Sequence, residues 1–289
     1  MWGTTATLAR VVFRDLRVPV LEVVELRLLI AACLLALWLA WRRPAALRVP
    51  REDWGYLLVL GVFGVTTVQG SYYYTIASLG VGLAILLQYL APALIVTWET
   101  LRGTPLRPRT AIAVATALAG AALLVGGVDP AAMRARPLDW AIGFSSAFAF
   151  AFYVVFSKRG LRRLGPETVL LYTFLIAALT WSFVHPPWRI LAAGYGPRHW
   201  ALFLTLGVGS TLLPFSCFYA GLRRLPPAEA GIVATFEPVI AVFTAALFLG
   251  EGLHGQQWGG AALVLVAALL ASWPARPDAA AGELRRPEA

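Results

Sequence analysis

The chain has 289 residues, of which 59% are hydrophobic and 13% charged, with a mean hydropathy of +0.72. A soluble fold of this length cannot hide so much apolar surface, because the fraction it buries grows slowly with size, so lipid must solvate much of it. The net charge of +9 comes from arginines clustered between apolar runs, which reads as anchoring at membrane surfaces and not as a nucleic-acid footprint.

A hydrocarbon layer of about 30 Å needs roughly 20 helical residues to cross it. By that measure spans are predicted at 2–13 (short), 21–41, 54–76, 81–101 and 108–127, then at 138–157, 167–185, 200–221, 228–249 and 257–273. The runs are continuous and long, which favours helices over the alternating ten-residue segments of a barrel. Met1-Trp2 leads straight into an apolar segment, so no cleavable signal is expected. The tail at 274–289 loses its apolar residues and is expected to be disordered and cytoplasmic. Cys33 and Cys217 read as small packing residues, and His185, His199 and His254 lie too far apart for a metal cluster. No cofactor is expected.

Five spans followed by five suggest duplication. With a constant shift of 146 residues, "LIAA" at 29–32 falls on "LIAA" at 175–178 and "LGV" at 60–62 on "LGV" at 206–208. Trp54 then meets Trp200, Tyr73 meets Tyr219, and Pro92 meets Pro238. The expected units are 1–127 and 138–273. On this offset the first helix lacks about nine residues of the length that spanning requires, which reads as a mis-assigned start or else as a truncated first helix, the former being favoured.

Cytoplasmic loops carry the Lys/Arg excess. With the N-terminus inside, 16 Lys and Arg fall in inside loops and 7 in outside loops, so both termini are expected to be cytoplasmic. An odd number of spans per copy inserts the two copies upside down relative to each other. Equivalent loops agree: "ASLGVG" has no basic residue where "GLRRLPP" has two. Inverted repeats of this kind are a construction principle of secondary transporters.

Trp2-Gly3, the Glu25/Arg27 patch, Pro92, and Glu237-Pro238 through Leu249-Gly250-Glu251 form an ordered set that resembles EamA-type carriers of the drug/metabolite transporter superfamily. The resemblance spans 2–273. It implies an all-α integral membrane protein of ten helices in two inverted five-helix repeats. It also implies a central cavity through which a small metabolite, such as an amino acid or related compound, is exported by alternating access. The expected location is the inner or plasma membrane, with a lipid bilayer and a small solute as partners and a proton as candidate coupling ion.

Glu237 lies midway along the ninth segment, where an acid costs about 2.5–3.5 kcal/mol, so it is expected to face the protein interior or water. Ala230, Ala234, Glu237, Ala241 and Thr244 share one small face, with Phe236, Val239, Phe243 and Leu247 opposite. Pro238 has no amide to donate to the Ala234 carbonyl, and Pro92, Pro214 and Pro238 are the expected kinks. Two readings of Glu237 stand side by side: a ligand for solute or proton, and a hydrogen-bond partner fixing a neighbouring helix. Gln69, Tyr73, Gln88 and Tyr219 join it as candidate cavity lining, with helix bridging as their alternative. Tyr72 and Tyr74 read as interfacial belt residues, and Arg27 as a side chain snorkelling to the surface, with pairing to Glu25 or Glu22 as its alternative.

Two other functions compete. One is an intramembrane enzyme acting on a lipid-linked substrate, for which no nucleophile–His–Asp set can be assembled. The other is a membrane protein that transports nothing, suggested by the short first span.

Overall fold

Hydrocarbon offers a backbone amide no water to bond, so an apolar run must close its own hydrogen bonds, which an α-helix does within one segment. The computed structural model describes residues 18–125, 135–237, 239, 240, 243 and 255–272, and these are helical apart from the connections. The predicted first span, Pro238, most of the ninth segment beyond Ile240, and the tail lie outside the described residues.

The elements are α1 (Val20–Arg42), α2 (54–79), α3 (Val81–Leu101), α4 (Pro108–Val125), α5 (Pro137–Gly160) and α6 (Pro166–Val184). A short α7 (Pro187–Ala192) leads into α8 (Pro197–Arg224), followed by α9 (Pro227–Ala234) and α10 (Gly255–Ser272). Six of them are long and apolar enough to cross a membrane. Where the described helices carry the predicted spans, most ends fall within a turn of the expected ones. Proline begins α4, α5, α6, α8 and α9, where its missing amide costs nothing and its fixed φ suits the first turn.

Two helices contain a π-helical stretch, Leu60–Thr66 in α2 and Gly207–Leu212 in α8. These stretches coincide when the chain is shifted by 146 residues. The extra residue per turn leaves carbonyls without their usual amide, and hydroxyls take them up: Thr66 Oγ1 donates to the Gly61 carbonyl at 3.0 Å and Thr67 Oγ1 to that of Val62 at 3.2 Å.

Each π stretch opens next to a glycine that receives an isoleucine from the other half of the chain. A Cβ added at Gly61 would stand 2.6 Å from Ile176 Cγ2, and one at Gly207 would stand 2.6 Å from Ile30 Cγ2. Gly61 and Gly207 are 146 residues apart, and so are Ile30 and Ile176. The halves therefore clasp reciprocally: α2 seats on α6 while α8 seats on α1. Small residues at such crossings let helices approach closely where lipid provides no hydrophobic drive to associate them. Around these seats, Leu28, Ala31, Leu57, Leu60, Val154, Leu170 and Phe174 form a continuous core. On the far side α4 meets α10 backbone to backbone at Gly120 and Gly260.

Corrections to the expected surface follow from the packing. Cys33 and Cys217 are both exposed on helix faces and are not packing residues. The Tyr74 hydroxyl donates to Asp139 Oδ1 at 2.7 Å and accepts from Arg136 at 3.1 Å, at the start of α5.

Gly207→Ala places a methyl into the Ile30 side chain and is expected to destabilise by about 1–3 kcal/mol, read as a lowered unfolding temperature of the detergent-solubilised protein. Ile30→Ala in the same chain reopens the space, so the double variant loses less than the two single losses combined. Strict additivity would dismiss the reciprocal seat.

Candidate functional site

The third and ninth helices both break near the middle. In α3 the helix is interrupted at Tyr89–Leu90 and resumes at Ala91, with Pro92 in its first turn. After α9 the chain turns at Thr235–Phe236 and resumes helix at Glu237. Shifted by 146 residues, the two breaks coincide. A broken helix at membrane depth is tolerated where protein or a wet cavity takes up the freed backbone groups.

Here Tyr89 takes them up. Its hydroxyl lies 3.2 Å from the Ala234 carbonyl and 3.0 Å from Glu237 Oε2. The Ala234 carbonyl is the one that Pro238 cannot serve, so one tyrosine on the first break meets both the orphaned carbonyl and the acid of the second. Tyr89 is 3% exposed and packs with Ile85, Ala121 and Tyr72. Glu237 is partly exposed, and with Pro214, Cys217, Phe218 and Ala234 it lines a cleft of about 440 Å³ between α8 and α9. Val239, on the opposite face, is sealed against Leu124, Ala261 and Val264.

Arg27 corrects its sequence reading. It does not snorkel: it is 4% exposed. Its Nε donates to Thr211 Oγ1 at 2.9 Å, in the π-helical stretch of α8, and its guanidinium lies over the Tyr73 ring at 4.6 Å from the centroid. Nη1 is buried without a hydrogen-bond partner, and none of the described ion pairs includes Arg27. Taking a charge out of water costs on the order of several kcal/mol, and a cation–π contact returns roughly 0.5–2 kcal/mol of it. From Arg27 the chain of contacts passes to Tyr73, then to Tyr72 at 5.5 Å between ring centroids, then to Tyr89 and Glu237. Arg27, Tyr72 and Glu237 all fall within electrostatic reach of one another.

The other sequence candidates are spread around this group. Gln69 is buried on α2, and Gln88 ends the first half of α3, immediately before the break. Tyr73 lies beneath the guanidinium. Tyr219, its counterpart, is fully buried in an aromatic cluster with Tyr153 and Phe215, its hydroxyl 2.9 Å from Ser157 Oγ. Pro214 sits in the first turn after the π stretch of α8. Sequence reasoning placed Arg27 at the surface and Tyr72 in the interfacial belt, and gave Thr211 and Tyr89 no role. Arg27 had a usable signal, because an ionisable residue within an apolar span is by default a functional candidate. Tyr89 carried none.

Polar clusters tie the halves together at both ends of the bundle. At the end where α1 begins, His185 lies between Glu22 and Glu25, 3.5 Å from each. Ser182 donates to Glu25 at 2.9 Å, and the Tyr195 hydroxyl donates to Glu22. Burial, and then the bond to Glu22, push the Tyr195 hydroxyl above its ordinary range, so it remains a donor. At the opposite end Arg163 pairs with Glu52 and Asp53 and Arg43 with Glu167 at 3.3 Å, while within the second half Lys158 caps the carbonyls of Leu222 and Leu225. A groove of about 690 Å³ between α3 and α5 has apolar walls, with Arg102 and Arg159 among its lining residues.

A model described as the EamA-like transporter family matches residues 1–126 and 140–273. The chain is 27% identical over 285 residues to the uncharacterized inner membrane transporter YicL of Salmonella typhimurium, covering 97% of this chain and 94% of that one. It is 27% identical over 283 residues to the threonine/homoserine exporter RhtA of Escherichia coli, covering 96% and 90%. A solved crystal structure superposes with a TM-score of 0.74 at 22% identity, over 94% of this chain and 93% of that one.

Tyr89→Phe leaves the Ala234 carbonyl without its donor and is expected to destabilise the solubilised protein by about 1–3 kcal/mol, measured by thermal unfolding. An unchanged transition would show that the two breaks are not held by this hydroxyl.

Proposed function

Because the chain belongs to the EamA-like transporter family, and is thereby a membrane transporter of small metabolites, we propose that it exports amino acids or related compounds by alternating access. The observation that carries this reading is the pair of broken helices meeting at Tyr89 and Glu237. Discontinuous helices at the repeat interface are where secondary transporters build their binding sites, since unwound backbone and a half-buried acid offer polar groups to solute without exposing them to lipid. The name of the Escherichia coli relative, a threonine/homoserine exporter, supports the solute class.

In this reading Glu237 contacts the solute or a coupling proton, with Tyr73, Gln69 and Gln88 around the chamber. Tyr219 supports it from behind, through Ser157. The two halves rock about the glycine–isoleucine seats, with bends at Pro92, at Pro214 and at the turn that follows α9. The end carrying Arg43, Arg163 and Lys158 faces the cytoplasm, as the excess of basic residues in its loops requires. The end with Glu22, Glu25 and His185 faces outward.

Two measurements test this. In proteoliposomes of the purified full chain, preloaded amino acids are expected to leave, and Glu237→Gln to slow the flux or flatten its pH dependence. Flux unchanged at every pH, with lower folding yield, would leave Glu237 a structural role only. In a background lacking Cys33 and Cys217, Thr104→Cys and Leu253→Cys are expected to label from opposite sides of the membrane. Labelling from one side would refute the inverted insertion.

A further inference from the structure

An arginine and a glutamate sit inside this bundle, and none of the described ion pairs joins them. Arg27 keeps a buried Nη1 with no hydrogen-bond partner, and Glu237 is bonded to a tyrosine hydroxyl and not to the arginine. They are near enough to interact electrostatically, yet no ion pair joins them. A buried guanidinium with an unpartnered N–H is unfavourable by itself, and an anionic partner would relieve it. The surrounding contacts hold Arg27 and Glu237 apart. Thr211 takes the guanidinium Nε, Tyr73 takes its face, and Tyr89 holds Glu237.

Internal duplication sharpens the point. At the 146-residue shift, Arg27 corresponds to Thr173, Thr211 to Val65, and Glu237 to Ala91. The scaffold is written twice, while the cation, the hydroxyl that aims it and the acid are each written once. Thr173 and Ala91 are fully buried in the core, so the scaffold does not require charge at these positions. The three singular residues come from α1, α8 and the position just after the turn that follows α9; the fold bonds Arg27 to Thr211 and brings Glu237 within electrostatic reach of Arg27.

We propose that Arg27 is the carboxylate anchor of a site for zwitterionic α-amino acids, with Glu237 receiving the ammonium group and the rings of Tyr72 and Tyr73 lying between them. This rests on the transporter reading above and adds the group that selects the solute. The guanidinium has an unused N–H for a carboxylate oxygen, and charge-assisted bonds of this kind are the strong, geometry-selective ones. The Glu237 carboxylate takes one bond from Tyr89 and has lone pairs left for an ammonium. A solute carrying both charges neutralises both buried groups at once. An amine or an acid alone leaves one of them uncompensated.

The test uses purified full-length protein in nanodiscs. The tightest binder among L-threonine, L-homoserine, L-leucine and L-phenylalanine is compared with its decarboxylated amine and its deaminated acid. Each analogue is expected to bind roughly 10- to 100-fold more weakly than the amino acid. Arg27→Gln is expected to erase the preference over the amine while leaving the preference over the acid, and Glu237→Gln to do the reverse. Arg27→Lys should keep part of the carboxylate preference. Should Arg27→Gln not fold, Thr211→Val removes the hydroxyl that aims the guanidinium and is expected to shrink the same ratio several-fold. A folded Arg27→Gln or Thr211→Val protein with an undiminished ratio overturns the proposal, as does failure of all four amino acids to bind. Proteoliposomes separate this from failure of the transporter reading. Flux of a neutral sugar or an organic amine without any amino acid sinks the anchor and the amino-acid solute class while leaving transport itself standing, whereas no flux of any solute sinks the transporter reading as well.

Discussion

Ile30 and Ile176 each press onto a glycine backbone in the other half of the chain, at Gly207 and Gly61. In lipid, helices gain nothing by hiding apolar surface from water, so close steric fit has to hold the bundle together. The isoleucine seats supply that fit twice, in reciprocal positions, and they set where α2 and α8 cross α6 and α1. The π-helical stretches open beside the same glycines. Each adds a residue to the turn and shifts the side chains that follow, which puts Thr211 against Arg27.

From that crossing the polar interior follows. The breaks in the third and ninth helices free backbone carbonyls at a depth where no water replaces the lost bond. Tyr89 resolves the problem for one of them and in the same contact fixes Glu237. The acid therefore belongs to both readings drawn from its sequence context. It is a hydrogen-bond partner of a neighbouring helix, and it lines a cleft with acceptor capacity to spare.

The ends of the bundle are built on a different principle. The Arg43–Glu167 and Arg163–Glu52 pairs are solvated and individually contribute on the order of 0–1 kcal/mol, whereas the Glu22 and Glu25 carboxylates beside His185 are buried. Their placement is the informative part. Glu22, Glu25, Ser182 and His185 join α1 to the end of α6 on one side, while Arg163 with Glu52 and Asp53 joins the start of α2 to the loop after α5 on the other. Contacts between the two halves thus exist at both ends of the bundle.

Sequence alone determined the class of solvent, the helical state, most span ends, the 146-residue repeat and the presence of an acid beside a helix-breaker. Each of these is a one-dimensional property: apolar length against bilayer thickness, or periodic identity along the chain. It also singled out the Ala234 carbonyl as the group Pro238 would orphan. What it could not determine was which residue answered that carbonyl, because Tyr89 lies 145 residues away and no spacing rule connects them. Arg27 shows the same division. Its side chain is long enough to reach the surface from the first turns of a helix, and the rule for such residues is to do so. Only the crossing of α1 with the π stretch of α8 put Thr211 and Tyr73 around it, turning an apparent surface charge into a buried one.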